Sequence, residues 1–134
     1  MTIAEPTLAH VHVHDVMHTG ILTTDPGTPL RVVARLMAEQ RVHAVAVADS
    51  DHGRRPWAFV STLDIAAAAA HGDDQTAGDA ATTEIVTVSS ADRLNDAAQV
   101  MAGHSLTHLI VVDPATGHPT GILSALDVAA AYGD

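Results

Sequence analysis

Phe59-Val60-Ser61-Thr62-Leu63-Asp64-Ile65-Ala66 returns later in the chain as Ile122-Leu123-Ser124-Ala125-Leu126-Asp127-Val128-Ala129. In each copy an apolar run meets Ser-x-Leu-Asp and passes into alanines. The apolar run reads as a buried strand and the alanines as a helix. A hydroxyl and a carboxylate therefore stand at a strand-to-helix turn, where the first backbone N–H groups of the helix lack partners. Two readings of the pair stay open. One is a capping box, with Ser61 or Ser124 at the cap and Asp64 or Asp127 reaching back from the third helical position; a carboxylate there also suits the helix dipole. The other is a polar grip on a ligand at the rim of a sheet, the carboxylate accepting two hydrogen bonds from a ribose diol. A cap can leave one carboxylate oxygen free, so the two readings are compatible.

Outward from these copies the duplication spans the chain. Laying Asp15 on Asp79 places Thr19 on Thr83, Ile21 on Ile85, Thr23 on Thr87, Leu30 on Leu94, Met37 on Met101, Val47 on Val111 and Gly53 on Gly117. One deletion in the second loop then brings Pro56, Ser61, Leu63 and Asp64 onto Pro119, Ser124, Leu126 and Asp127. Each copy reads β-α-β-β-α. Ile21 to Thr24 is a short strand and Asp25-Pro26-Gly27 a turn. Thr28 is expected to cap the next helix, with Pro29 as its first residue. Leu30, Val33, Ala34 and Met37 share one face of that helix, which should end near Gln40. In the second copy Asp92 replaces Thr28 as cap, and Leu94, Ala97, Ala98 and Met101 form the face. His43 to Ala48 and Trp57 to Ser61 are strands expected to pair as a hairpin. Residues 1 to 9 read as a loose arm, and His71-Gly72-Asp73-Asp74-Gln75 as a polar linker. The fold class is α/β (α+β), two repeats at 10–71 and 77–134 packed as a pseudo-twofold pair. A piece of about 60 residues buries only about 60% of its unfolded surface and is marginal alone, which favours two packed copies over two independent beads.

The 134 residues are 47% hydrophobic, with a net charge of −10, and every one of the six basic residues is arginine. An acidic chain without a basic stripe argues against nucleic acid and anionic membrane as partners. There is no cysteine, hence no disulfide. The first six residues lack the basic and apolar parts of a signal peptide. No apolar run approaches the roughly 18 residues that span a bilayer, so a cytoplasmic protein is expected. Small core side chains bury little area each, and self-association would add burial. A Ser with an Asp three residues on, without a base, is not a catalytic triad. No glycine-rich phosphate loop, nucleophile elbow or H-E-x-x-H is present, and no enzyme activity is expected. His10, His12 and His14 alternate and in a strand would share one face. Such a set can hold Zn²⁺ or Ni²⁺; the simpler reading is solvated histidines, and no metal ligands are assigned.

Val13-His14-Asp15-Val16-Met17, a short strand and Pro29-Leu30 resemble the opening of a cystathionine β-synthase (CBS) domain. His108-Leu109-Ile110-Val111-Val112-Asp113, Gly117 and Thr120 to Val128 resemble its close. The resemblance covers nearly everything from about residue 10 onward, twice, and implies a stand-alone tandem CBS pair, or Bateman module. Such a module is regulatory rather than catalytic. It implies an adenosyl ligand, an adenine nucleotide (AMP, ADP or ATP) or S-adenosylmethionine, held in clefts between the repeats, with the signal passed to an unknown protein partner. It also implies a homodimer, a disc of four repeats. By the same resemblance Asp64 and Asp127 take the ribose hydroxyls, with Ser61 and Ser124 near the ribose or phosphate. Thr19, Gly20 and Ile21, and Thr83 to Ile85, would frame the base. His43, Thr107 and His108, at the entries to the second strands, would line the cleft. Arg54 and Arg55 for the first site, and His108 and His118 for the second, are the cations nearest in sequence. The competing functions are an interaction module with empty clefts and a metal-responsive protein using its N-terminal histidines.

Overall fold

The computed structural model describes residues 7–72 and 74–134; residues 1–6 of the expected arm, and Asp73 of the expected linker, lie outside them. In chain order the elements are α1 (Val13–Val16), β1 (His18–Thr19), β2 (Thr23–Thr24), α2 (Leu30–Gln40), β3 (Ala44–Ala48), β4 (Pro56–Ser61), α3 (Thr62–His71), α4 (Ala77–Ala80), β5 (Thr83–Glu84), β6 (Thr87–Ser89), α5 (Leu94–His104), β7 (His108–Val112), β8 (Pro119–Ser124) and α6 (Ala125–Tyr132). The expected α/β class and both hairpins are present: β3 pairs antiparallel with β4, and β7 with β8.

The chain folds into two compact units, and their edges do not follow the repeat. One unit is Ile21–Ile85; the other joins the described residues up to Gly20 with Val86–Asp134. The first carries a four-stranded sheet ordered β2-β3-β4-β5, the second a sheet ordered β1-β8-β7-β6. In each, a parallel strand lies on one side of the hairpin and a two-residue antiparallel strand on the other. That short strand comes from the start of the other sequence repeat: β1 joins β8, and β5 joins β4.

Each unit has its own core. In Ile21–Ile85 the α2 face Leu30, Val33 and Met37 packs with Val45, Val47 and Val60, and with Ala77 and Ala80 of α4. In the other unit Leu94, Ala97 and Met101 of α5 pack with Leu109, Val111 and Leu123, and with Val13 of α1. α1 and α4 occupy equivalent places, each contributing fully buried side chains, Val13 and Ala77. Their four-residue length hides them from any helical period.

The expected helix starts are corrected. α2 begins at Leu30, after Pro29 in extended backbone with no side-chain cap. Thr28 is not its cap: the Leu30 N–H donates to the Gln75 carbonyl at 2.9 Å, and the Thr28 carbonyl accepts from the Ala77 N–H at 2.8 Å. α5 likewise follows Arg93, and the Leu94 N–H donates to the Val11 carbonyl at 2.7 Å. Asp92 instead accepts from the Ser89 N–H at 2.9 Å. Backbone bridges from the crossing segments supply the partner that a capping side chain would otherwise provide.

Asp49 knits the turn before β4. Its Oδ1 accepts from the His52 ring Nδ1 at 2.6 Å and from the His52 N–H at 2.9 Å, and its Oδ2 from the Trp57 indole at 3.2 Å. The His52 side-chain bond, above all, holds the carboxyl below its ordinary value. A carboxyl so lowered stabilises the fold above the unfolded value, about 3.9, and loses that contribution as pH falls through the lowered one. Trp57 is the single tryptophan and reports on it. Its emission should show an acid step with a midpoint below the ordinary carboxylate value, absent in Asp49→Asn. A step at or above that value would contradict the assignment.

Candidate functional site

Both Ser-x-Leu-Asp corners form capping boxes. At the β4–α3 junction Ser61 Oγ accepts from the Asp64 N–H at 3.3 Å, and Asp64 Oδ2 accepts from the Ser61 N–H at 2.8 Å. At the β8–α6 junction Ser124 Oγ accepts from the Asp127 N–H at 3.2 Å, and Asp127 Oδ2 from the Ser124 N–H at 2.8 Å. The cap therefore uses one oxygen of each carboxylate, leaving Oδ1 for another partner.

That partner has the same origin in each unit. Asp64 Oδ1 accepts from the Thr82 hydroxyl at 2.7 Å. Asp127 Oδ1 meets the His18 Nε2 at 2.9 Å. His18 and Thr82 are equivalent positions of the repeat, His18 opening the two-residue edge strand β1 and Thr82 just before β5. The Asp127 side chain is 10% exposed and that of His18 75%. A nearly buried carboxylate is thus covered by one solvent-facing group. Sequence reasoning missed both residues; the only signal was their place next to Thr19 and Thr83.

The remaining candidates fall into two sets. Thr19 pairs with Gly121, His108 pairs with Ser124, and the Gly20 N–H donates to the Thr120 carbonyl at 2.8 Å. The Thr107 carbonyl accepts from the Ala125 N–H at 2.8 Å. The Thr107 hydroxyl lies 3.0 Å from the His108 ring. So Thr19, Gly20, Thr107, His108, Ser124 and Asp127 share one unit. In the other, Thr83 pairs with Phe59, Ala44 pairs with Ser61, and the His43 carbonyl accepts from the Thr62 N–H at 3.1 Å. His43, Ser61, Asp64, Thr83 and Ile85 share that unit, and Ile21 goes with them rather than with Thr19 and Gly20. A hollow of about 360 Å³ there is lined by Val42 and His43, together with Arg41 and Thr62.

The proposed cations divide by position. Arg54 and Arg55 precede β4 whereas Ser61 ends it, and His118 likewise precedes β8. A six-residue strand at about 3.3 Å per residue puts all three near the opposite end of their sheet from the carboxylate. Arg54 instead lines a hollow with Asp25, Asp49 and Ser50. His108, paired with Ser124, remains beside the Asp127 corner.

Gly121 lets β1 approach β8. A Cβ there would stand 2.4 Å from the His18 carbonyl oxygen, which backbone cannot yield cheaply. Its counterpart Ala58 lies opposite Glu84. Gly121→Ala should destabilise the chain by about 1–3 kcal/mol and push His18 off Asp127. A melting midpoint equal to wild type would show that β1 is not held there.

Comparison with known proteins follows the same lines. The CBS domain profile matches residues 13–71 and 77–134. The CBS domain protein PAE2072 of Pyrobaculum aerophilum, solved with AMP, is 29% identical, with a TM-score of 0.76 over 87% of this chain and 89% of that one. CBSX2, solved with AMP, is 25% identical, with a TM-score of 0.72 over 90% of this chain and 94% of that one. The CBS domain pair of protein MJ0100, solved with 5′-methylthioadenosine and S-adenosyl-L-methionine, is 20% identical and shares the fold, with a TM-score of 0.79 over 92% of this chain and 96% of that one. Among curated proteins no significant match is found. With the profile matched twice and the sheets and helices laid out as in solved CBS pairs, the chain belongs to the CBS domain family, as a tandem pair.

Proposed function

We propose that the protein is a non-catalytic regulatory module that binds an adenosyl ligand at its Ser-x-Leu-Asp corners and relays that occupancy to a protein partner. The observation that carries this is the repeated carboxylate with one oxygen spent on the cap and the other met by a single replaceable side chain, His18 or Thr82. A ribose diol can take the place of that side chain without disturbing the cap. Thr19, Gly20 and His108, in the same unit as Asp127, and Thr83 and His43, in the same unit as Asp64, would line the two corners. Two solved relatives, at 29% and 25% identity, hold AMP, which supports the adenosyl class. A chain of net charge −10 with no lysine opposes a triphosphate electrostatically. AMP, or an adenosyl group with an uncharged tail, is therefore favoured over ATP.

A thermal-shift and calorimetric panel of AMP, ADP, ATP and S-adenosylmethionine tests the reading. Ligand at 100 times its dissociation constant adds about 2.7 kcal/mol, which raises the midpoint of a chain this size by several degrees. No shift with any of the four would sink the adenosyl reading.

The homodimer rests on a separate observation. On α3 the exposed residues Leu63, Ala66, Ala67 and Ala70 recur at helical spacing, and on α6 Leu126, Ala129 and Ala130 do the same. Leu63 is 76% exposed and Leu126 67%. The one acidic residue of each helix is turned into its cap, so the outward stripe carries no charge. Two apolar helices left open at matching positions fit a second copy of the chain.

A further inference from the structure

Two imidazoles and a carboxylate converge where the chain enters α1. His12, His14 and Asp15 each bring a ligand-type atom within 4.8 Å of the others. The expected strand face is not what gathers them. Val13 is buried, the Val13 N–H donates to the Asp92 carbonyl at 2.9 Å and the His14 N–H to the Ser90 carbonyl at 3.0 Å, and the helical turn that follows stacks the two rings at 5.3 Å.

The His14 ring is oriented by its far side. Its Nδ1 lies 2.9 Å from the Ser90 carbonyl. A carbonyl only accepts, so Nδ1 carries the proton and the neutral ring has its lone pair on Nε2. That Nε2 stands 3.3 Å from Asp15 Oδ1. Asp15 Oδ2 is already engaged, accepting from the His12 N–H at 2.9 Å, with the His12 Nδ1 3.9 Å away. A neutral imidazole nitrogen and a carboxylate oxygen facing each other at that distance take a cation between them, either a proton, as in an ion pair, or a metal ion. An imidazole whose other nitrogen donates to a backbone carbonyl is the arrangement that orients metal-ligating histidines.

The second repeat supplies an internal comparison. Thr76, Gly78 and Asp79 stand at the equivalent positions. There Thr76 Oγ1 accepts from the Asp79 N–H at 3.3 Å and Asp79 Oδ2 accepts from the Thr76 N–H at 3.2 Å. The turn there is closed by a Thr and an Asp, and Gly78 sits where a Cβ would run into Pro26. The first repeat keeps the aspartate and has His12 and His14 where the second has Thr76 and Gly78.

We propose that His12, His14 and Asp15 form a binding site for a divalent transition metal of the zinc class, with water completing four-fold coordination. Two imidazoles and one carboxylate suit Zn²⁺ and not the all-oxygen shells of Ca²⁺ or Mg²⁺. The side chains are half-exposed, so the rings are free to close onto an ion at about 2.0–2.1 Å, and the ion can enter from solvent. None of these three residues is among those assigned to the adenosyl corners.

Zinc chloride titrated by calorimetry into untagged protein tests the proposal, with Co²⁺ as a visible-absorbing substitute. One tight equivalent per chain is expected. His12→Thr/His14→Gly, which writes the second repeat's residues into the first, should keep the circular dichroism spectrum of the metal-free protein, with a midpoint lowered only by the few degrees that a glycine in a helix costs. It should weaken the tight zinc equivalent by more than the roughly hundredfold that losing an outer partner can cost, and remove the Co²⁺ bands. Undiminished binding by that variant would place the metal on other histidines and overturn the site. Absence of a tight equivalent in wild type would reduce the cluster to a protonated ion pair and overturn it equally.

Discussion

Asp127→Ala should abolish AMP binding at its corner and leave the rest of the fold standing. A hydrogen bond to a charged group contributes roughly 1.5–3 kcal/mol, and a ribose diol makes two. Their loss amounts to about a hundredfold to ten-thousandfold in affinity. The same substitution also removes the bond from Asp127 to the Ser124 N–H, at about 1 kcal/mol of stability. Asp79→Ala is the matching control, because Asp79 serves α4 in the same way and no ligand role is proposed for it. It should lose comparable stability and no affinity. His18→Ala frees Asp127 Oδ1 of its present partner and should tighten AMP, since the ribose no longer displaces an imidazole. Calorimetry on the three variants decides the matter: wild-type affinity in Asp127→Ala would end the ribose assignment.

The second large effect is on self-association. Leu63→Glu combined with Leu126→Glu should convert a dimer to a monomer in light scattering behind a sizing column. Burying a leucine contributes about 1.5–3 kcal/mol, and each position occurs twice in a dimer. Losing all four contacts raises the dissociation constant on the order of ten-thousandfold or more, before the repulsion of the added charges. Because both leucines are exposed in the single chain, the monomer should stay folded. A wild-type chain that runs as a monomer at tens of micromolar would remove the argument.

What the sequence disclosed was local or periodic. Ser61 with Asp64, and Ser124 with Asp127, were legible because a capping box spans only four consecutive residues. The faces of α2 and α5 were legible because their buried residues fall at helical spacing. The duplication made each reading twice as secure. The parts that escaped are non-local. β1 and β5 have two residues each, too short for any alternation, and their partners lie in the other repeat. The His18–Asp127 contact closes a separation of 109 residues, which no motif announces. Thr28 and Asp92 had the right chemistry for caps, yet backbone bridges reached the helix starts first. Arg54 and Arg55 looked close to the first corner because only the chain was counted. A strand between them and Ser61 carries them away.

Because β1 completes a sheet whose other three strands come from Val86 onward, one unit is nested inside the other along the chain. Ile21–Ile85 is continuous, and once it has left the ribosome it has every strand of its sheet. The enclosing unit must keep α1 and β1 waiting until β8 has been synthesised. Severing the polypeptide near Gly72 would not yield two autonomous halves. The leading fragment would hold β1 without β8 and would lack β5, and the trailing fragment would hold β5 without β4. The two repeats are thus obliged to stay on one continuous polypeptide, with translation order built into their assembly.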